Sequence, residues 1–519
     1  MKITPGVTWS SGDTVNHTQL NAFLTNAEIT SGTLDQVALG ENALDSLTSG
    51  ADNVGIGDNA GTALTSGHSN VAVGNDALKT IPEGYSNVAI GEGAMSLGAG
   101  SPTYNVAIGQ QALEDLSGAV SPDAQSTSNV AIGHNVGKEI TTGASNTLVG
   151  VKAGEDLTTD SSQNVAIGGG ALSDSSNAVD GATAVGYEAL KVNSANISTA
   201  LGYKAGYANT SGGDNTYLGA HAGYTQATGS HNVLVGDNAG YYVASGSSNV
   251  MVGAGSGDAL TTDSTGNVLL GVDALGGSSN AVDYCSAVGF EALKVNTADN
   301  NVGVGYRAGV ANTSGVDNTY VGNAAGYTNS TGADNTFVGD NAGYGQTGIQ
   351  CTSIGSGAGG TGSTSYTNAT CIGYGTTPLA NNEVVIGSIA VTWWRPMADD
   401  VTDLGHSSYR FDDVYATNGT IQTSDKNMKK NIKKSNLGLA FLEKLNPVSY
   451  SWKKGNRKHY GMIAQEVEKT LDGEDFAGLV KGEDDGKKYY GLRYAEFIAP
   501  LIKAVQELSA KVAKLEGKA

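Results

Sequence analysis

Asn105-Val106-Ala107-Ile108-Gly109 is the stretch whose reading decides the fold. Side chains alternate across a strand, so Val106 and Ile108 share one face and a small residue sits between them. Gly109 then permits a sharp corner. The same wording recurs as Asn53-Val54-Gly55-Ile56-Gly57 and Asn164-Val165-Ala166-Ile167-Gly168. Its last glycine returns from Gly40 to Gly387, mostly at steps of 16 to 18 residues. A small-residue segment comes next, as in Asp58-Asn59-Ala60-Gly61, whose Ala also points inward. Loops such as Thr65-Ser66-Gly67-His68-Ser69-Asn70 carry turn chemistry.

A fixed period of this size signals a stacked array in which each repeat is one supersecondary unit. One coil is too thin to stand alone. Stacking is expected to bury its Val and Ile pair. The predicted class is therefore mainly β: a β-roll or β-solenoid shaft of repeats about 17 residues long. At about 4.8 Å between neighbouring strands, some twenty coils make a rod on the order of 100 Å long. A larger unit is also visible. Gly186-Tyr187-Glu188-Ala189-Leu190-Lys191-Val192-Asn193 returns 103 residues later as Gly289-Phe290-Glu291-Ala292-Leu293-Lys294-Val295-Asn296, a block of six short repeats. The pattern resembles the head repeats of trimeric surface adhesins and the shafts of phage tail fibres.

Composition narrows the function. Of 519 residues, 75 are Gly and only 15% are charged, which disfavours helix over most of the length. The net charge of −21 is uneven: residues 424–519 hold 19 of the 29 basic and 13 of the 50 acidic residues, leaving 10 and 37 for residues 1–423. An acidic shaft is a poor phosphate groove, so no nucleic-acid partner is expected. Cys285, Cys351 and Cys371 show neither CxxC nor Cys/His spacing. That predicts no disulfide framework, no zinc site and assembly in a reducing compartment. Met1-Lys2-Ile3-Thr4-Pro5 opens no apolar run and no stretch approaches about 20 apolar residues, so neither export nor membrane insertion is expected.

Two motifs in the shaft mimic ligand sites. Gly303-Val304-Gly305-Tyr306-Arg307-Ala308-Gly309 has the look of a dinucleotide loop, but equivalents recur throughout without a βαβ context. Gly339-Asp340-Asn341-Ala342-Gly343 has the look of a calcium turn with too few carboxylates for an oxygen cage. No cofactor and no metal are predicted. Tyrosine is abundant, 23 against seven Phe, and comes after the repeat glycine or the Ala-Gly pair at Tyr203, Tyr207, Tyr224, Tyr241, Tyr327 and Tyr344. Two readings stand: a stacked ladder along the rod, or an aromatic surface for a sugar receptor at residues such as Tyr224 and Tyr327.

The flanks differ. In residues 1–36, Gly6-Val7-Thr8-Trp9 reads as a strand, and Thr14 to Ala27 as a helix presenting Leu20, Phe23 and Leu24. The segment resembles those by which phage tail fibres attach to the virion. The shaft takes residues 37–387. Residues 388–423 form a distal β tip, with Trp393 and Trp394 either at a receptor-contacting end or inside an aromatic plug, and a strand pair from Tyr409-Arg410-Phe411 to Val414-Tyr415.

Residues 424–519 read as a small α/β domain. Leu437 to Leu445 and Ala464 to Leu471 are helical, Val448 to Trp452 pairs with His459 to Ile463, and Lys488 to Leu492 is a strand. The final helix places Ile498, Leu501, Val505, Leu508, Val512 and Leu515 at coiled-coil spacing. Ser424-Asp425-x-x-x-Lys429-x-Asn431-Ile432 and Tyr460-Gly461-Met462-Ile463-Ala464-Gln465-Glu466-Val467 give this domain a specific likeness. Residues 403–519 resemble the intramolecular-chaperone autoprocessing domain that ends phage tail spikes, tail fibres and endosialidases.

The resemblance implies a module that trimerises the chain, drives shaft folding and cuts itself off between Thr423 and Ser424. Ser424 is then the nucleophile and Lys429 the base, with Asp425, Asn431, Gln465 and Glu466 as the supporting motif. A serine hydroxyl needs a neighbour to take its proton, and a lysine does so only when neutral. Positive charge from Lys426, Lys430, Lys433 and Lys434, with burial on assembly, pushes Lys429 in that direction. Ser424 is expected on an extended end, and Lys429 just inside a following helix. Val or Ile alternating with Leu favours two strands in isolated coiled coils, so the trimer comes from the resemblance and not from the heptads.

The expected protein is a homotrimeric phage tail fibre or spike, assembled in the host cytoplasm and carried on the virion. It docks on a tail or baseplate protein through its N-terminus and binds a host surface receptor, a glycan. Its enzymatic activity is a single-turnover serine autopeptidase. The alternatives are a tail-spike depolymerase, for which the shaft lacks a clustered pair of carboxylates amid aromatics, and a bacterial trimeric surface adhesin.

Overall fold

The structure is a computed structural model. It describes residues 35–517 except 118–127, 159, 176–177, 262, 278, 361, 363–364, 398–403, 406–408, 410, 412–413, 416, 418–425, 454–455 and 485–486. The expected N-terminal strand and helix lie outside the described residues. The chain divides into two units, Met1–Thr392 and Trp393–Ala519.

The first unit is a β-solenoid. Its 21 short strands run from β1 (Gln36–Leu39) to β21 (Val384–Ile386), one per coil, and join in a single sheet. Each strand pairs in parallel with its neighbours in chain order. Val88, Ala89 and Ile90 of β4 (Val88–Ile90) lie opposite Val106, Ala107 and Ile108 of β5 (Val106–Ile108). Like therefore stacks on like along the rod. The corner glycines form their own file: Gly91 has φ +135, and a Cβ there would lie 2.3 Å from the Gly109 carbonyl oxygen. No other residue fits that approach.

The two faces of the strands are the reverse of the expectation. The small middle residue points inward: Ala72, Ala89, Ala107 and Ala131 are wholly buried. The flanking Val and Ile point outward, with Ile90 37% exposed and Ile167 39% exposed. The reason is the bore of the coil. Its interior is already filled by the turn alanines, such as Ala60 and Ala77, and by Leu64, Ile81, Leu116 and Ile140, all wholly buried. That leaves an Ala-sized space at most strand centres.

Where the strand centre is large, the turns shrink to match. Tyr217 is wholly buried. It fits because Gly206 and Gly223 flank it: a Cβ on either would lie 2.7 Å or 2.4 Å from its ring. Tyr320, 103 residues on, sits between Gly309 and Gly326 in the same way. Neither tyrosine hydroxyl has a hydrogen-bond partner among the described residues.

The asparagine that opens each repeat is a buried structural element. Asn70 donates its backbone N–H and its side-chain N–H to Asn53 Oδ1, both at 3.0 Å, and the same side chain donates to the Gly84 carbonyl at 2.7 Å. Asn87, Asn105, Asn129, Asn146 and Asn164 continue the file in the same fashion. Buried amides are tolerated because each is paired. Cys285 and Cys351 stand in this file, where their backbone N–H groups donate to Asn267 and Asn335 Oδ1. All three cysteines are buried and unpaired.

The described residues of 388–423 contain no strand, and the expected pair from Tyr409-Arg410-Phe411 to Val414-Tyr415 lies partly outside the described residues. Tyr409, Phe411, Val414 and Tyr415 are exposed in the single chain, as are Trp393 and Trp394. The rest is a small α/β domain. After a 3₁₀ turn at Lys426–Met428 come α1 (Leu439–Leu442), β22 (Val448–Tyr450), β23 (His459–Gly461), α2 (Ala464–Leu471), β24 (Leu479–Asp484), β25 (Lys487–Leu492), a second 3₁₀ turn (Tyr494–Phe497) and α3 (Ile498–Leu515). Both strand pairs are antiparallel hairpins. Phe441, Val467, Leu471 and Phe497 form the core, with Leu437, Leu445, Met462 and Phe476 packed on it. Helix α1 is shorter than the expected span from Leu437 to Leu445.

Candidate functional site

The described chain resumes at Lys426, just after the expected cleavage position. Lys426–Met428 forms a 3₁₀ turn, and the Lys429 backbone N–H donates to the Lys426 carbonyl at 3.2 Å. Lys429 thus comes just after a 3₁₀ turn instead of lying inside an α-helix. Its side chain is exposed, as are those of Lys430 and Asn431. Asn431 adopts a left-handed conformation at φ +56, which Asn tolerates better than most residues. Thr423, Ser424 and Asp425 lie outside the described residues.

The loop from Ser435 to Leu439 is held from the far end of the domain. The Leu439 backbone N–H donates to Glu507 Oε2 at 2.8 Å. A Cβ on Gly438 would lie 2.6 Å from that oxygen, so glycine is what lets the carboxylate in. This hydrogen bond is the main reason the Glu507 carboxyl lies below its ordinary range. One turn away, Lys503 Nζ donates to the Ser435 carbonyl and lies 3.4 Å from Glu507 Oε1. Helix α3 therefore grips both ends of this loop.

The Tyr460-Gly461-Met462-Ile463-Ala464-Gln465-Glu466 stretch runs from β23 into α2. The Met462 N–H donates to Tyr494 Oη at 2.9 Å, and a Cβ on Gly461 would lie 2.4 Å from that oxygen. Pro447, Val448, Tyr460, Met462 and Tyr494 line an open groove beside it. Gln465 and Glu466 are exposed, and Asn446 donates to Glu466 Oε2 at 3.3 Å. On α3, Pro500 and Ala504 face inward. Ile498, Leu501, Val505, Leu508, Val512 and Leu515 are all exposed. The heptad face has no partner within the described chain.

On the shaft, Tyr224 is stacked between Tyr207 and Tyr241, 5.0 Å from each. Tyr327 and Tyr344 lie parallel at 4.9 Å. Neighbours cover both faces of Tyr224 and one face of Tyr327. Among the more open rings are two stacked pairs, Tyr187 with Tyr203 and Phe290 with Tyr306. The repeat of the block from Gly186 to Asn193 was the signal for them.

Residues 424–476 match the family model for the chaperone of endosialidase, Peptidase_S74. No curated protein and no solved structure matches the chain. A long β-solenoid with a chaperone-of-endosialidase domain after it is the organisation of a tail-spike- or tail-fibre-like protein.

Proposed function

We propose that this chain is a phage tail fibre or spike that attaches the virion to its host. In this reading three copies associate, the C-terminal domain brings them into register, and that domain then severs the Thr423–Ser424 bond. The observation that carries the reading is the outward apolar row. Ile56, Val73, Ile90, Ile108, Ile132 and Val149 lie in register on successive strands, and branched aliphatic residues continue that row to Ile386. A stripe of this extent is far larger than the apolar patches that soluble monomers expose. The surface that repeats at the same pitch over the same number of coils is the same stripe on another copy. The open heptad face of α3 asks independently for the same kind of partner.

Aligning three such rows is slow, because distant strands must meet before burial rewards them. A C-terminal coiled coil raises the effective concentration of the chains and fixes their register. Cleavage afterwards leaves the shaft trapped kinetically. Ser424 supplies the nucleophile and Lys429 its base. The N-terminal segment docks on the tail or baseplate, and the receptor is a host glycan.

Intact mass and denaturing electrophoresis of Ser424→Ala beside wild type test this. Wild type is expected to release residues 424–519 and the variant to stay full length. A full-length wild type contradicts it.

A further inference from the structure

The shaft carries one side-chain arrangement twice. Tyr187 and Tyr203 stack at 5.6 Å, and Phe290 and Tyr306 stack at 5.6 Å. A cation lies over the second ring of each pair: Lys204 at 5.5 Å from the Tyr203 centroid, Arg307 at 5.2 Å from that of Tyr306. A glutamate ties each cation down. Glu188 holds Lys204 at 3.3 Å and Lys191 at 2.9 Å. Glu291 holds Arg307 at 2.6 Å and Lys294 at 2.7 Å. Asp174 and Asp273 approach Lys191 and Lys294, at 3.8 Å and 3.2 Å. The four rings remain 52%, 47%, 43% and 48% exposed, in chain order.

Two features argue against a role confined to holding the coils together. The face-to-face stack does not run on from coil to coil: Ala220, Asp237, Ala254 and Val272 occupy the ring position in the four coils between the pairs, and His221 meets Tyr203 only edge-on, at 5.2 Å. The face of Tyr187 away from Tyr203 also lies over Gly169, which has no side chain to cover it. Half-open rings beside fixed hydrogen-bonding charges suit a ligand with an apolar face and a rim of hydroxyls.

The charge identifies the ligand further. Each patch balances two carboxylates against two cations, and the surrounding shaft is strongly acidic. A polyanion gains nothing there. We propose that the two patches are equivalent subsites for one neutral polysaccharide. They are six strands apart, from β9 (Thr183–Val185) to β15 (Ser286–Val288), hence about 29 Å along the rod at about 4.8 Å per strand. Two weak subsites on one rigid scaffold gain avidity from a polymer long enough to span them. This assignment rests on the adhesive reading of the shaft.

The test uses the full-length protein on immobilised neutral glucans, galactans and mannans, with dextran sulfate as the polyanion. Wild type is expected to bind at least one neutral polymer in preference to dextran sulfate. Tyr187→Ala or Phe290→Ala alone is expected to weaken that binding at least tenfold, and the double variant to abolish it, with circular dichroism unchanged. Processing and oligomeric mass are recorded on the same samples. A processed oligomer that binds no neutral polymer, a double variant that binds like wild type, or a preference for dextran sulfate overturns the assignment and leaves the fibre reading standing.

Discussion

Asn87 Oδ1 accepts both the backbone N–H and the side-chain N–H of Asn105, at 3.1 Å and 2.9 Å. One side chain thus satisfies two buried donors of the next coil. Replacing Asn87 with Ala takes this acceptor from the Asn105 backbone N–H, at a cost of about 1–3 kcal/mol for a buried group that loses its bond, while the Asn105 side-chain amide keeps the Thr103 carbonyl at 3.0 Å. Thermal melting is expected to fall for Asn87→Ala. The converse change, Cys285→Asn, fills a break between Asn267 and Asn301 and is expected to raise it. A lower melting temperature for Cys285→Asn would contradict this account of the file.

The orientation of the strands makes opposite demands on adjacent residues. Ala107 is wholly buried and Ile108 faces outward. Ala107→Leu is expected to overpack the coil, by roughly 1–3 kcal/mol. Ile108→Ser is expected to leave the circular dichroism of the coil unchanged while weakening association between chains, read by analytical ultracentrifugation. If Ile108→Ser unfolded the coil and Ala107→Leu did not, the faces would be assigned the wrong way round.

Tyr217 tests the interior differently. Burial holds its phenol far above the ordinary range, and its hydroxyl has no partner among the described residues. Tyr217→Phe is therefore expected to be neutral or stabilising by up to about 2 kcal/mol, because it removes an uncompensated polar group. A marked loss of stability in thermal melting would show that the hydroxyl is bonded.

Glu291 gives the shaft an acid limb. Its carboxyl is held below the ordinary value of 4.5, chiefly by the hydrogen bond from Lys294 and also by that from Arg307, against the opposing effect of burial. A carboxylate with a lowered pKa contributes stability that is present above its ordinary value and is lost as pH falls through the lowered one. Melting temperatures measured between about pH 6 and pH 3 are expected to fall less steeply for Glu291→Gln than for wild type. Parallel curves would remove the ion pair from the account.

The positions of the strands and corners were legible because Val, Ile and Gly recur in phase. Which strand face was interior was not. A period of two separates two sets of side chains without saying which set meets the core, and here the narrow bore reversed the usual preference. Asn70 and its equivalents were visible in the motif but read with the turns, since their role depends on a neighbour one coil away. In the C-terminal domain, β22, β23, α2 and α3 obey local pattern. Strand β24 (Leu479–Asp484) went unseen because Lys481, Gly482, Glu483 and Asp484 carry no strand signal of their own, and its partner β25 defines it. The likeness to the chaperone of endosialidase was legible from Ser424 to Val467. The grip of Glu507 on Leu439 was not, because 68 residues separate them.

The central claim is that the shaft cannot find its register unaided. Expressing residues 1–423 alone beside the full-length chain, with native mass spectrometry of the soluble fraction, addresses it directly. The account predicts a trimeric, heat-resistant shaft from the full-length chain and aggregated or monomeric material from residues 1–423. A soluble, heat-resistant trimer from residues 1–423 alone would contradict it.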